Sequence, residues 1–198
     1  MTNEPVLNYH NIMKKLNLHQ AGEKLGSSGL KLFTVSDLMV MFGVEKRAAG
    51  AFISYNVKKG AFLRLKAGLF GLKNNLPSDY AIANRLYFPS YISLDTALSY
   101  YSLIPETVYT ITSVTPKPTR EFEVNGRAFD YRRIKKQAFA GYIPKEIYGE
   151  TVYIATPEKA VADFLYFVSL GRRKYNDRLK LDKIDSSQLR KHQDLFKT

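Results

Sequence analysis

Residues 34–72, TVSDLMVMFGVEKRAAGAFISYNVKKGAFLRLKAGLFGL, constrain the fold of this chain more than any other stretch. Thr34 can accept a hydrogen bond from an orphan backbone N–H, and Asp37 three residues later completes a capping box, so a helix starts here. Val35, Leu38, Met39 and Phe42 then recur at i, i+3, i+4 and i+7, which places them on one buried stripe. Gly43 stops this helix. A second helical pattern runs from residue 45 to about residue 57, with Ala49, Phe52, Ile53 and Val57 as its inward positions. Two short helices joined by one glycine turn have helix-turn-helix spacing.

The other face of the second helix carries Arg47, Gly50, Ser54 and Lys58, with Lys46 and Tyr55 on its flanks. No large aliphatic side chain interrupts it. A helix that enters the DNA major groove needs such a face, because its backbone approaches closely while Arg, Ser and Lys reach base edges and phosphates. After Lys58, Lys59 and Gly60, the run from Phe62 to Lys66 alternates Phe62 and Arg64 with Leu63 and Leu65, and Gly68 turns the chain back into residues 69–72. This pattern predicts a hairpin wing. A winged helix-turn-helix over residues 1–76 follows, with Arg47, Ser54 and Tyr55 reading bases and Lys46, Lys58, Lys59, Arg64 and Lys66 holding phosphates. A third helix from about Leu7, with Tyr9, Ile12, Met13 and Leu16 on one face, is expected to pack against these two. Gly22 to Gly29, GEKLGSSG, reads as a flexible connection that lacks the spacing of a P-loop.

The charge favours the same class of partner. Thirty Lys and Arg against 18 Asp and Glu leave +12 on 198 residues, the balance expected of a protein that meets a polyanion. Residues 1–80 hold 11 basic and 5 acidic side chains and the remainder 19 and 13, so each half carries +6. The excess in the second half serves either contact with nucleic acid or solubility. Absence of cysteine excludes disulfides, thiolate metal sites and a cysteine nucleophile. No signal-peptide pattern and no bilayer-length apolar run is present, so a cytoplasmic protein without a membrane partner is expected.

Residues 73–79, KNNLPSD, have linker composition, and residues 77–198 read as an α+β domain with a small, mostly antiparallel sheet. Tyr80 to Phe88 suggests a short helix, and Ser93 is placed to cap another with Leu94, Ala97, Leu98 and Tyr101 inward. Strands are expected over residues 108–114, 119–124, 128–134, 139–143 and 151–155. Asn125-Gly126 and Gly149 mark the turns. Thr156-Pro157-Glu158 supplies a cap, an N1 proline and a first-turn acid for a helix whose stripe is Ala160, Val161, Phe164, Leu165 and Val168. Gly171 closes it, and Arg172, Arg173 and Lys174 complement its dipole. A short closing helix is expected over residues 189–196.

Side chains for catalysis or for a metal or organic cofactor do not assemble in the sequence. His10, His19 and His192 are scattered and read as surface residues. Glu121, Glu123 and Asp130 flank the Asn125 turn and could gather a metal in a nuclease, but beside Arg120, Arg127 and Arg132 they fit cross-strand ion pairs better. Arg132, Arg133, Lys135 and Lys136 form either a second phosphate-binding patch or the charged guard of an edge strand.

Two further segments, YISLDTALSYYSLIPETVYTITSVTPKPTREFEV (residues 91–124) and VYIATPEKAVADFLY (residues 152–166), together with TVSDLMVMFGV and GAFLRLKAGLFGL, make the chain resemble the AbiEi family of antitoxins from type IV toxin–antitoxin systems. The likeness covers roughly residues 32–170. It implies a transcriptional repressor of its own operon that binds double-stranded operator DNA at repeated sites and counteracts a nucleotidyltransferase toxin without a stable complex. It is compatible with a monomer that binds DNA cooperatively. The DNA role carries over to the basic and polar face between Lys46 and Lys58 and to Arg64 and Lys66. Two other classes stay open: a helix-turn-helix module that binds an acidic protein, and a metal-dependent enzyme of nucleic acid built on the acidic hairpin.

Overall fold

In the computed structural model, which describes residues 16 to 197, the Thr34 cap forms as its spacing predicts. The Thr34 hydroxyl accepts from the Asp37 N–H at 3.3 Å, and the Asp37 carboxylate accepts from the Thr34 N–H at 2.7 Å. The chain divides into two units, Met1–Pro77 and Ser78–Thr198. Both mix helix and strand, an α+β arrangement with seven α-helices and two sheets among the described residues. No helix among these residues is long and apolar enough to cross a membrane.

In the first unit, α1 (Leu18–Ser27) leads to β1 (Leu32–Phe33), α2 (Val35–Phe42), α3 (Lys46–Lys58) and the hairpin of β2 (Phe62–Lys66) and β3 (Leu69–Leu72). The sheet is antiparallel in the order β1-β3-β2, with Phe33 opposite Phe70 and Leu63 opposite Gly71. Phe33, Leu38, Ala49, Phe52, Ile53, Phe62 and Phe70 form its core. Phe62 sits edge-on to both Phe33 and Phe52, at centroid distances of 5.0 and 5.7 Å. Each such pair adds about 0.5–1.5 kcal/mol beyond the area it buries. Gly71 permits the close approach of strands and linker, since a Cβ there would lie 2.7 Å from Leu76 Cδ2 and 3.2 Å from the Lys31 carbonyl oxygen.

The stretch Gly22–Gly29 is not a flexible connection. Residues 22–27 belong to α1, capped by the Asn17 side chain, which accepts from the His19 N–H at 2.8 Å. Gly22 and Gly26 face open space and each disfavours helix by about 1 kcal/mol, but Ala21 and Leu25, one turn apart and almost fully buried, outweigh them. The expected helix from about Leu7 lies outside the described residues, apart from Leu16, which is buried in the core.

The second unit holds α4 (Asp79–Leu86), β4 (Tyr91–Ile92), α5 (Leu94–Tyr100), β5 (Ile111–Thr115), β6 (Arg120–Val124), β7 (Arg127–Arg133), a 3-10 turn (Lys136–Ala138), β8 (Tyr142–Ile147), β9 (Glu150–Ala155), α6 (Pro157–Ser169) and α7 (Ser186–Asp194). Its sheet has six strands in the order β6-β7-β5-β4-β9-β8; three of its five pairings are antiparallel, in line with the expected mostly antiparallel sheet, while β5 with β7 and β4 with β9 run parallel. The antiparallel β6–β7 pair turns at Asn125 and Gly126, with φ of 51° and 74°, the left-handed pair that a two-residue hairpin requires. Residues 139–141 precede β8 rather than belonging to it. Pro144 sits within β8, where an edge strand tolerates the lost donor.

Thr156 caps α6 by accepting from the Lys159 N–H at 3.2 Å, with Pro157 in the first turn. Ser93 precedes α5 but does not cap it with its side chain. Its hydroxyl instead donates to Asp163 at 2.7 Å.

Candidate nucleic-acid interface

The sidedness of α3 follows from what it buries. Ala49, Phe52, Ile53 and Asn56 are buried, so the inward face takes in Asn56, which the apolar pattern does not predict, as well as Val57. Val57 lies beside the stripe and is half-buried against the same core. The Asn56 amide is satisfied locally, donating to the Phe52 carbonyl at 2.9 Å, as a buried polar group must be.

On the opposite side Lys46, Arg47, Ser54, Tyr55 and Lys58 are exposed, and Gly50 among them is half-buried. A Cβ added at Gly50 would meet nothing within 4 Å. The chain turns at Gly60 immediately after Lys59, whose ammonium lies 5.8 Å from the Tyr55 ring centre. In the hairpin Arg64 is exposed and Lys66 half-buried, with the register shifting between them. The Arg64 guanidinium packs 5.6 Å from the centre of the Phe70 ring, which fixes a long side chain at little entropic cost. One helix face and the adjoining hairpin thus present Lys46, Arg47, Lys58, Lys59, Arg64 and Lys66, with Glu45 as the acid at the helix start.

Of the four cations at the end of β7, Arg133, Lys135 and Lys136 are exposed and Arg132 is half-buried. β7 lies between β5 and β6, but at Arg132 and Arg133 its register partners are in β5 alone, and Lys135 and Lys136 follow the strand. Arg132 Nε bonds Asp130 at 2.8 Å, and its Nη2 bonds Glu121 at 3.1 Å. Burial pushes the Asp130 carboxyl above its usual range against the pull of Arg132. Arg133 is exposed, Lys135 donates to the Phe196 carbonyl at 2.8 Å, and Lys136 begins the 3-10 turn. Two of the hairpin acids, Glu121 and Asp130, therefore meet Arg132, while Arg127 is held by Asp79 of α4 at 2.8 Å. His19 is exposed beside Glu23, whereas His192 is half-buried, and burial holds its imidazole below the ordinary value.

Among the described residues, the most enclosed ion pair lies elsewhere in the second unit. Lys159 Nζ and Asp163 Oδ1 are 2.6 Å apart and fully buried. Tyr91 Oη at 3.0 Å and Ser93 Oγ at 2.7 Å both donate to Asp163 Oδ2. The Phe196 ring lies over the Lys159 ammonium at 4.6 Å. Burial raises the Asp163 carboxyl, and Lys159 and the two hydroxyls work against it. Each carboxylate oxygen is bonded, as a pair removed from water requires. The two segments that carry the family resemblance meet here, Tyr91 and Ser93 from one and Lys159 and Asp163 from the other. Their signal in the sequence is the i, i+4 spacing that puts Lys159 and Asp163 on the same side of α6 as Phe167.

No known family model matches the chain, and no curated protein matches it.

Proposed function

We propose that the first unit is a winged helix-turn-helix that binds double-stranded operator DNA in a sequence-specific manner. In this reading α3 enters the major groove, and the β2–β3 hairpin is the wing. The observation that carries it is the outward face of α3, where Lys46, Arg47, Ser54, Tyr55 and Lys58 are exposed around Gly50 while the opposite face is buried. Arg47, Ser54 and Tyr55 read base edges, and Lys46, Lys58, Lys59, Arg64 and Lys66 hold phosphates. The net charge of +12 supports a polyanionic partner.

The protein then acts as a repressor of its own operon, and the second unit supplies antitoxin action against a nucleotidyltransferase toxin. That part of the reading rests on the resemblance of residues 91–124 and 152–166 to the AbiEi antitoxins. Binding of the purified protein to the duplex upstream of its gene, compared with a scrambled duplex across a salt series, tests the DNA role. Preference for the native duplex is expected, with log affinity falling in log salt by about 0.9 per phosphate neutralised. Equal affinity for both duplexes would remove the operator-binding role. Rescue of growth on co-expression with the adjacent toxin gene tests the antitoxin role.

A further inference from the structure

Arg132 points to a second site. A cavity of about 640 Å³ in the second unit is lined by Thr119, Arg132, Phe167, Arg172 and Arg173. Its arginines come from β7 and from the turn after α6. That turn is a Schellman cap: the Gly171 N–H donates to the Val168 carbonyl at 2.9 Å and the Arg172 N–H to the Phe167 carbonyl at 2.9 Å. Gly171 takes φ of 65°, a conformation that costs any residue with a Cβ. The cap reverses the chain and brings Arg172 and Arg173 back beside Phe167. These cations therefore do more than complement the helix dipole.

Carboxylates orient two of the three guanidinium groups without lining the cavity. Arg132 is held by Asp130 and Glu121, and Arg173 pairs with Asp95 and lies 3.8 Å from Asp130. A guanidinium carries five N–H donors, and these contacts leave several of them unused. Arg172 pairs with no carboxylate among the described residues. The Thr119 hydroxyl accepts from the Arg133 N–H at 3.2 Å and keeps its own proton to donate. The lining thus offers guanidinium forks, one hydroxyl and part of the almost fully buried Phe167, and no acid. Planar forks held in place match phosphate oxygens, and their fixed orientation lowers the entropic cost of binding.

We propose that this cavity binds a small phosphorylated molecule of nucleotide size, its phosphate on Arg132, Arg172 and Arg173 and its organic part in the remaining volume beside Thr119. The volume lies within the usual 300–1,000 Å³ of small-molecule sites and exceeds what a lone phosphate fills. The site belongs to the second unit and does not depend on DNA binding by the first.

The test is titration of the full chain, without DNA, with inorganic phosphate, pyrophosphate, ATP and GTP, followed by calorimetry and thermal unfolding. Saturable binding of a nucleotide, tighter than that of inorganic phosphate and with a raised unfolding temperature, is expected. Arg172→Gln should leave the unliganded unfolding temperature unchanged and weaken the nucleotide at least about tenfold, the loss of one charge-assisted contact. Arg172→Lys should recover part of that loss. No saturable binding of any probe below about 1 mM, or nucleotide binding unchanged in Arg172→Gln, overturns the proposal. So does an Arg172→Gln protein that loses only affinity for duplex DNA, because the cavity would then hold a backbone phosphate. Failure of operator binding leaves these titrations unaffected.

Discussion

Gly50 separates the demands of folding on α3 from those of its proposed role. It lies in the helix interior, its φ is not positive, and a Cβ would meet nothing within 4 Å. Folding therefore gains nothing from glycine here. Alanine is favoured over glycine in a helix interior by about 0.8–1.0 kcal/mol, so Gly50→Ala should stabilise the first unit by about that much. For a domain of 60–100 residues this corresponds to roughly 4–8 °C in unfolding temperature. Gly50→Gln should also stabilise, because glutamine is a good helix former. Its side chain, however, would stand between Arg47 and Ser54, where α3 is proposed to approach the groove floor. The native duplex should bind Gly50→Gln at least about tenfold more weakly, a loss of about 1.4 kcal/mol. Thermal unfolding and fluorescence anisotropy at one fixed salt concentration measure both effects on the same preparations. A Gly50→Gln protein that unfolds at higher temperature and binds the native duplex as tightly as the parent would refute the reasoning. The face around Gly50 would then not enter the groove.

Within the same face, Arg47→Ala should relax preference at one base pair and cost about 1–3 kcal/mol, whereas Lys59→Ala should weaken all duplexes alike and lower the salt slope by about one; competition between single-base operator variants distinguishes the two. Lys159→Met should destabilise the second unit by about 3–5 kcal/mol, because Asp163 is left charged and buried. Lys159→Met combined with Asp163→Leu should cost less than the two single changes added together, which denaturant unfolding of all four proteins measures. Burial holds the His192 imidazole below its ordinary value of 6.5. Its contribution is therefore complete above pH about 6.5 and is lost as pH falls towards the folded value, since the unfolded chain takes up the proton first. Between pH about 7.5 and about 5.5, the parent should lose more stability than His192→Asn, and equal losses in denaturant midpoint would count against this. Gly71→Ala should destabilise the first unit by about 1 kcal/mol, the low end of overpacking costs, since Leu76 Cδ2 can shift but the Lys31 carbonyl, at 3.2 Å, belongs to the backbone; a denaturant midpoint at or above that of the parent would contradict it.

Local signals in the chain were legible wherever neighbours in sequence are neighbours in space. The Thr34–Asp37 capping box, the Asn125-Gly126 turn and the Thr156-Pro157 helix start each depend on a few consecutive residues, and each forms in the structure. The exposed face of α3 was legible for the same reason, because helical period alone separates Arg47, Ser54 and Lys58 from Phe52 and Ile53. The periodicity erred where a polar residue fills an apolar position. Asn56 can be buried because its amide bonds one turn back, and hydrophobicity carries no sign of that. Residues 22–27 are helical despite their glycine and serine content, because Ala21 and Leu25 are buried one turn apart.

What only the tertiary structure decided is non-local. β4 is two residues long, too short for any period, and becomes a strand because β5 and β9 lie on either side of it. The parallel pairings join residues far apart in the chain, where no turn residue marks the partner. The same holds for the charges. Strand alternation puts Arg132 and Arg133 on opposite faces, but only the fold brings Arg132 to a cavity with Arg172 and Arg173 while Arg133 lies exposed. Lys159 and Asp163 can be fully buried because Tyr91 and Ser93, some seventy residues earlier, supply the hydroxyls that the carboxylate needs. Helix, turn and facing come from interactions within a turn or two of chain. Strand partners and the environment of a charge come from which distant segments fold against it.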